Sequence, residues 1–260
     1  MKYYVVDAFA EKVFEGNPAG VCVMEKWLPD EIMQKMAIEN NLSETAFAVK
    51  EEKIYRLRWF TPGGEINLCG HATLATAYVI MNYIDKQVDT VQFETMSGLL
   101  TVNKLGEMYE LDFPAVPSEE LPVTQQMIEA LGVTPLESFI NRDLVFVLDS
   151  EEAVKHFNPD FSKIEKLSEG IGVCITAKGN ECDFVSRGFF PKLKINEDPV
   201  TGSLHCSLIP FWSERLEKRE MVAKQLSSRG GTLYCKQVGT RVKMAGKAAL
   251  YSIAEIYIGN

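Results

Sequence analysis

Long apolar runs are missing from this 260-residue chain. No stretch reaches the roughly 20 uninterrupted apolar residues that cross a bilayer as a helix, so no membrane span is expected. A basic excess is missing too. The 27 Lys and Arg are outnumbered by 36 Asp and Glu, a net charge of −9. Duplex nucleic acid is gripped by clustered basic surface, so it is not expected as a partner. CxxC pairs are absent. Cys22, Cys69, Cys174, Cys182, Cys206 and Cys235 are scattered and read as reduced, mostly buried thiols. Residues 1–7 read directly as a strand, with Asp7 breaking any targeting-type apolar core. The expected compartment is therefore the cytoplasm. Also absent are GxGxxG, the Walker loop, the GxSxG elbow and HExxH. Histidine is scarce, with three in all. A zinc site can be drawn from Cys69, His71, His205 and Cys206. Those neighbours are adjacent or two apart, a spacing that suits neither a helix nor a zinc knuckle, so no metal is expected.

What remains is a chain 46% hydrophobic and long enough to bury a core without staples, as one large domain or two modest ones. Residues 3–9, 21–24, 45–49 and 55–60 read as strands; Tyr55-Arg56-Leu57-Arg58-Trp59 alternates strictly. Residues 29–40 carry Ile32, Met36 and Ala37 at helical spacing behind a proline. A second helix, about 71–83, is apolar nearly all round, which predicts burial on every side. Strands resume at 91–95, 99–102 and 108–113. Residues 114–122 hold Pro114, Pro117 and Pro122 and read as a linker without regular structure. Beyond it come a short helix (124–131, stopped by Gly132), strands at 144–148, 172–176 and 183–187, and a second all-round apolar helix at 202–216. Pro210 is expected to kink that helix. Strands at 232–238 and 249–258 close the chain.

The halves share a layout. Gly70 and Gly202 each open a buried helix, and Gly98 and Gly230 each follow 28 residues later ahead of a strand. Both pairs are offset by 132 residues. This predicts a duplication: an α+β protein of two similar domains, each a sheet wrapped round one apolar helix.

Chemistry concentrates at two loop-to-helix junctions, Asn67-Leu68-Cys69-Gly70-His71-Ala72-Thr73 and Asp198-Pro199-Val200-Thr201-Gly202-Ser203. Free amides and the helix dipole at such starts favour an anion, although Gly, Ser and Asp are also ordinary capping residues. A third segment, Asn41-Leu42-Ser43-Glu44-Thr45-Ala46-Phe47, carries Glu44. In a dry cleft its pKa would rise into the useful range for proton transfer; by sequence alone it reads as a solvated loop glutamate.

These segments, with Asp7-Ala8-Phe9, the early turn Phe14-Glu15-Gly16-Asn17-Pro18-Ala19-Gly20 and Phe60-Thr61-Pro62, resemble the PhzF-like (phenazine biosynthesis) family over most of the chain. The resemblance implies a diaminopimelate epimerase-like fold: two similar domains, each a mixed, β-barrel-like sheet around a central apolar helix. The domains are expected at 1–115 and 116–248, with the C-terminal strand, about 249–260, returning to the first. It also implies cofactor-independent proton transfer. The catalytic set falls on Glu44, His71, Asp198 and Ser203. Substrate binding falls on Asn17, Gly70, His71, Ala72, Thr201, Gly202 and Ser203. The expected partner is a small carboxylate substrate, and the expected assembly is a homodimer, for which the outer face of strand 55–60 is a candidate surface.

Two other functions compete with glutamate-mediated isomerisation. Epimerases of this fold use two facing cysteines. Cys69 occupies the first place, but Thr201 stands at about the second, so a cysteine-assisted racemase is incomplete. A non-catalytic binding or interaction protein that retains the cleft is the other, and binding alone needs no acid–base residue. Carbon-bound deuterium exchange in heavy water discriminates among them.

Overall fold

The computed structural model describes residues 1–258. Their backbone groups into two compact units, Met1–Phe113 with the segment from Ala245 onward, and Pro114–Met244.

In the first unit, β1 (Lys2–Ala8) and β2 (Asn17–Met24) pair antiparallel. The chain crosses through α1 (Asp30–Asn40) to β3 (Glu44–Glu51), which lies parallel to β2; a parallel neighbour requires such a crossover. β4 (Ile54–Thr61) returns antiparallel to β3, and β5 (Gly64–Ile66) antiparallel to β4. Next comes α2 (Gly70–Val79), continued by a π turn at Ile80–Ile84. β6 (Thr90–Thr95) then runs parallel to β4, and β7 (Gly98–Leu105) and β8 (Met108–Pro114) complete a meander. The chain's last strand, Ala248–Glu255, pairs antiparallel with β1.

α2 packs against β1, β2, β3, β7 and that last strand. Eight of its ten residues are buried, so it has no solvent face. Alanines at 72, 75 and 77 keep it slim enough for strands to close around it. Its threonines survive burial because Thr73 Oγ1 donates to the Cys69 carbonyl at 2.5 Å and Thr76 Oγ1 to the Ala72 carbonyl at 2.7 Å. α1 covers the outer face of the sheet, where Met33, Met36 and Ala37 meet Cys22, Met24, Phe47, Val49 and Phe60. This changes the reading of strand 55–60. Its second face offers no open apolar surface: Phe60 is buried against Phe47, and Arg58 is paired with Asp30 and Glu65.

The second unit repeats this order. β9 (Glu119–Glu120) and α3 (Gln125–Leu131) lead into β10 (Glu137–Ile140), which pairs antiparallel with β9 and with β11 (Leu144–Val147). Two short helices, α4 (Glu151–Lys155) and α5 (Phe161–Ile164), cross to β12 (Val173–Lys178), parallel to β11. β13 (Phe184–Phe190) is antiparallel to β12, and β14 (Ile195–Asp198) antiparallel to β13. α6 (Gly202–Arg215) follows. β15 (Glu220–Gln225) then lies parallel to β13, β16 (Gly231–Val238) antiparallel to β15, and β17 (Arg241–Gly246) ends the series. Pairing for pairing, β10 to β16 with α6 copy β1 to β7 with α2. Gly98 and Gly230 hold matching turns at φ +91° and +67°.

One expectation needs amending here. Residues 114–122 are not wholly irregular, because Glu119 and Glu120 form β9 between the prolines. Pro210 lies within α6. Proline removes the hydrogen bond to the carbonyl four residues back. That carbonyl, on Cys206, accepts instead from the Val116 backbone N–H at 2.9 Å.

Candidate active site

Glu44 is the first residue of β3, not a solvated loop residue, and is 8% exposed. Asn41, at φ +50°, turns the chain out of α1, and Asn40 Nδ2 donates to Thr45 Oγ1 at 3.1 Å across the corner. The strand that begins there is buried on both faces through Val49, so the burial of Glu44 follows no alternation visible in sequence. His71, the second residue of α2, places Nε2 3.0 Å from Glu44 Oε2. The contact is a close pair rather than an aligned hydrogen bond, and neither buried atom has a hydrogen-bond partner. On the opposite edge of the ring, Nδ1 lies 3.2 Å from Asn17 Nδ2 and 3.5 Å from Cys69 Sγ. In the neutral ring, donation from Asn17 leaves Nδ1 bare and puts the single proton on Nε2, toward Glu44; in the charged ring both nitrogens carry protons.

Burial works against a charged His71. Cys69 and Glu44, each close against the ring, outweigh it and hold the His71 pKa well above 6.5. Burial, then the Glu44 charge, pushes the Cys69 thiol up to about 11. Cys69 is therefore neutral near pH 7, and Glu44 is the operative charge on the ring. The ligand atoms of Glu44, Cys69 and His71 lie within 4.8 Å of one another.

The second unit presents a different set. Thr201 Oγ1 donates to Asp198 Oδ2 at 2.6 Å. Gln225, fully buried, accepts from Thr201 N at 2.9 Å and donates to the Asp198 carbonyl at 2.8 Å and to Thr201 Oγ1 at 3.2 Å. An amide nitrogen only donates, so this arrangement directs the threonine proton at Asp198. Thr201 is thus a hydrogen-bond donor held in place, and the second unit carries a hydroxyl, not a thiol, at this position. Ser203 Oγ accepts from Arg142 Nη2 at 2.9 Å. His205 sits with Nδ1 2.8 Å from the Thr201 carbonyl. Burial lowers its pKa to about 4, despite that bond. A hollow of about 1100 Å³ in this unit lies along the far half of α6 beside Phe139, Phe211 and Arg215 and contains none of these residues.

The structure therefore brings Asn17, Glu44 and His71 together in the first unit, with Gly70 and Ala72 on the first turn of α2. It joins Asp198 to Thr201 in the second unit, with Gly202 and Ser203 opening α6. Arg142, Asp143 and Gln225 were not legible as site residues. The repeat held a signal for Arg142: it precedes β11 much as Asn17 opens β2.

Comparison with known proteins identifies the family of the chain. The family model described as phenazine biosynthesis-like protein matches residues 6–253. A Pseudomonas aeruginosa protein named as an uncharacterized isomerase is 47% identical over 257 residues, covering 98% of each chain. A PhzF-family crystal structure from Enterococcus faecalis is 54% identical, with a TM-score of 0.97 over 99% of both chains. A probable proline racemase from Agrobacterium radiobacter, only 8% identical, superposes with a TM-score of 0.65 over 99% of this chain and 93% of its own. That similarity shows a shared epimerase-type α+β fold. With both chains of its relatives matched almost end to end, this chain belongs to the phenazine biosynthesis-like, or PhzF, family.

Proposed function

We propose that the protein is an isomerase that moves a proton between carbons of a small carboxylate-bearing substrate, with Glu44 as the shuttling base and no cofactor. The observation that carries this reading is the buried Glu44–His71 pair. A carboxylate 3.0 Å from an imidazole, with Oε2 unclaimed by any aligned hydrogen bond, has a lone pair ready for a substrate proton. Glu44 removes a proton from one carbon, the double bond shifts along the substrate, and Glu44 returns the proton to another carbon. His71 holds the charge balance around Glu44 while it changes protonation state.

Charge develops on the substrate when the proton leaves. The free amides of α6 and the Ser203 hydroxyl supply donors for a carboxylate and its enolate-like form. Asp198, with its proton donor Thr201, is assigned to orient the substrate's polar group. The naming of a relative as an isomerase supports the reaction class. The test is incubation in heavy water with a panel of small unsaturated and amino carboxylates, followed by mass spectrometry for carbon-bound deuterium. Exchange by the native protein and its loss in Glu44→Gln are expected. Undiminished exchange in Glu44→Gln would remove Glu44 from the mechanism.

A further inference from the structure

The repeat identifies a residue that motif reading passed over. In the first unit, the side chain that opens the second strand, Asn17, touches the second residue of the central helix, His71. In the second unit, Arg142, just ahead of the second strand β11, touches the second residue of the central helix, Ser203. The equivalent spots hold an amide in one unit and a cation in the other.

Arg142 is also held in one orientation. Asp143 is 2% exposed, and its Oδ2 accepts from Arg142 Nε at 2.9 Å and from Nη2 at 2.6 Å. Its Oδ1 accepts from Gly172 N at 2.9 Å, which ties the pair to the start of β12. A buried carboxylate thus fixes the guanidinium plane. The two N–H groups of Nη2 are spent on Asp143 and Ser203, while Nη1 engages no described residue. The guanidinium stays about half exposed. Ser203 Oγ accepts from Arg142, so its own proton is left to give. Nη1 and the Ser203 hydroxyl form two adjacent donors, one of them charged, with no acceptor between them.

We propose that Arg142 is the carboxylate-recognising residue of the site: one substrate carboxylate oxygen takes the Nη1 donors and the other takes the Ser203 hydroxyl. This rests on the isomerase reading for the identity of the substrate group, but not for the binding itself. It also resolves a charge problem. A protein of net charge −9 repels anions at long range; the Arg142–Asp143 pair adds no net charge, and its fixed N–H donors give the anion a local partner where it must dock.

The test uses acetate as the minimal carboxylate, titrated into the full-length protein while the Arg142 Nε–Hε and Ser203 amide NMR signals are followed. Chloride at equal ionic strength is the control. Saturable acetate-specific shifts are expected. Arg142→Gln should weaken acetate by at least about tenfold, and Arg142→Lys, which keeps the charge beside Asp143 but loses the fork, by an intermediate factor of roughly three. No acetate-specific shift in the native protein, or equal affinity in a folded Arg142→Gln or Arg142→Lys variant, would overturn the assignment. If acetate binds as described and no carboxylate exchanges its carbon protons, the isomerase reading fails and the Arg142 site stands.

Discussion

At the start of α2, Cys69-Gly70-His71 carries a thiol and an imidazole into the fold; at the start of α6, the matching Thr201-Gly202-Ser203 carries two hydroxyls. Four residues into each helix-capping turn the roles cross. Thr73 Oγ1 donates to the Cys69 carbonyl, and at the equivalent place His205 Nδ1 meets the Thr201 carbonyl. One backbone plan therefore holds two chemistries. The first unit gathers the groups proposed to move protons, namely Glu44 and His71. The second gathers a hydrogen-bond network in which Thr201, Gln225 and Arg142 donate and Ser203 accepts. Duplication supplies the scaffold twice, and the division of labour lies in a handful of side chains at equivalent positions.

The sharpest way to break this comparison is to exchange the roles. Glu44→Gln should lower carbon exchange by about 10²–10⁴-fold, the usual worth of a positioned general base. Ser203→Ala should lose less, on the order of tenfold, and chiefly through KM. A Ser203→Ala variant as inert as Glu44→Gln would show that both units do proton chemistry.

The two histidines give the next largest contrast. His205 has a folded pKa of about 4, below its ordinary 6.5. The unfolded chain binds that proton more readily between these values, so the stabilisation is full above about 6.5 and is lost as pH falls through about 4. It amounts to roughly 3 kcal/mol at about 1.36 kcal/mol per pKa unit. His71 has a raised pKa, so its contribution is full below 6.5 and is lost as pH rises through the folded value. Urea unfolding at about pH 4.5, 7 and 9.5 should show His205→Gln flattening the acid limb and His71→Gln flattening the alkaline limb. The same limb flattened by both variants would contradict these environments.

Smaller still is the effect at the paired turns. Gly98→Ala and Gly230→Ala place a side chain at positive φ with no neighbour closer than 3.9 Å, so each should cost about 1 kcal/mol by backbone strain alone. Unequal losses in denaturant titration would mean that the two turns are not equivalent. The smallest expected change is Cys69→Ser, which should keep exchange within about threefold if the thiol only neighbours His71. A loss comparable to that of Glu44→Gln would restore a thiol to the chemistry.

The repeat and its two buried helices were legible because burial on all sides leaves an unmistakable mark: no polar face between Ala72 and Val79. Short strands such as β5, β10 and β14 were not, since three or four residues carry too little pattern to show a period. Pattern read Glu44 as a solvated loop acid, and the structure buries it at the head of β3. An acid at the mouth of a strand covered on both faces looks, in one dimension, like any loop acid. Arg142 escaped notice because Asn141-Arg142-Asp143 has the composition of a turn, and its partner Ser203 lies 61 residues away. Gln225, likewise, closes a bond over 24 residues to Thr201.

The Val116 amide bound to the Cys206 carbonyl marks a spot where a proline-rich segment borrows the rigidity of a helix. Amides in such segments ordinarily trade their hydrogens with solvent quickly. This one can do so only when its bond to α6 breaks, so its exchange rate becomes a gauge of how firmly the segment is held against that helix. A slow Val116 amide would report that attachment to the helix that presents Ser203, without a label or a ligand.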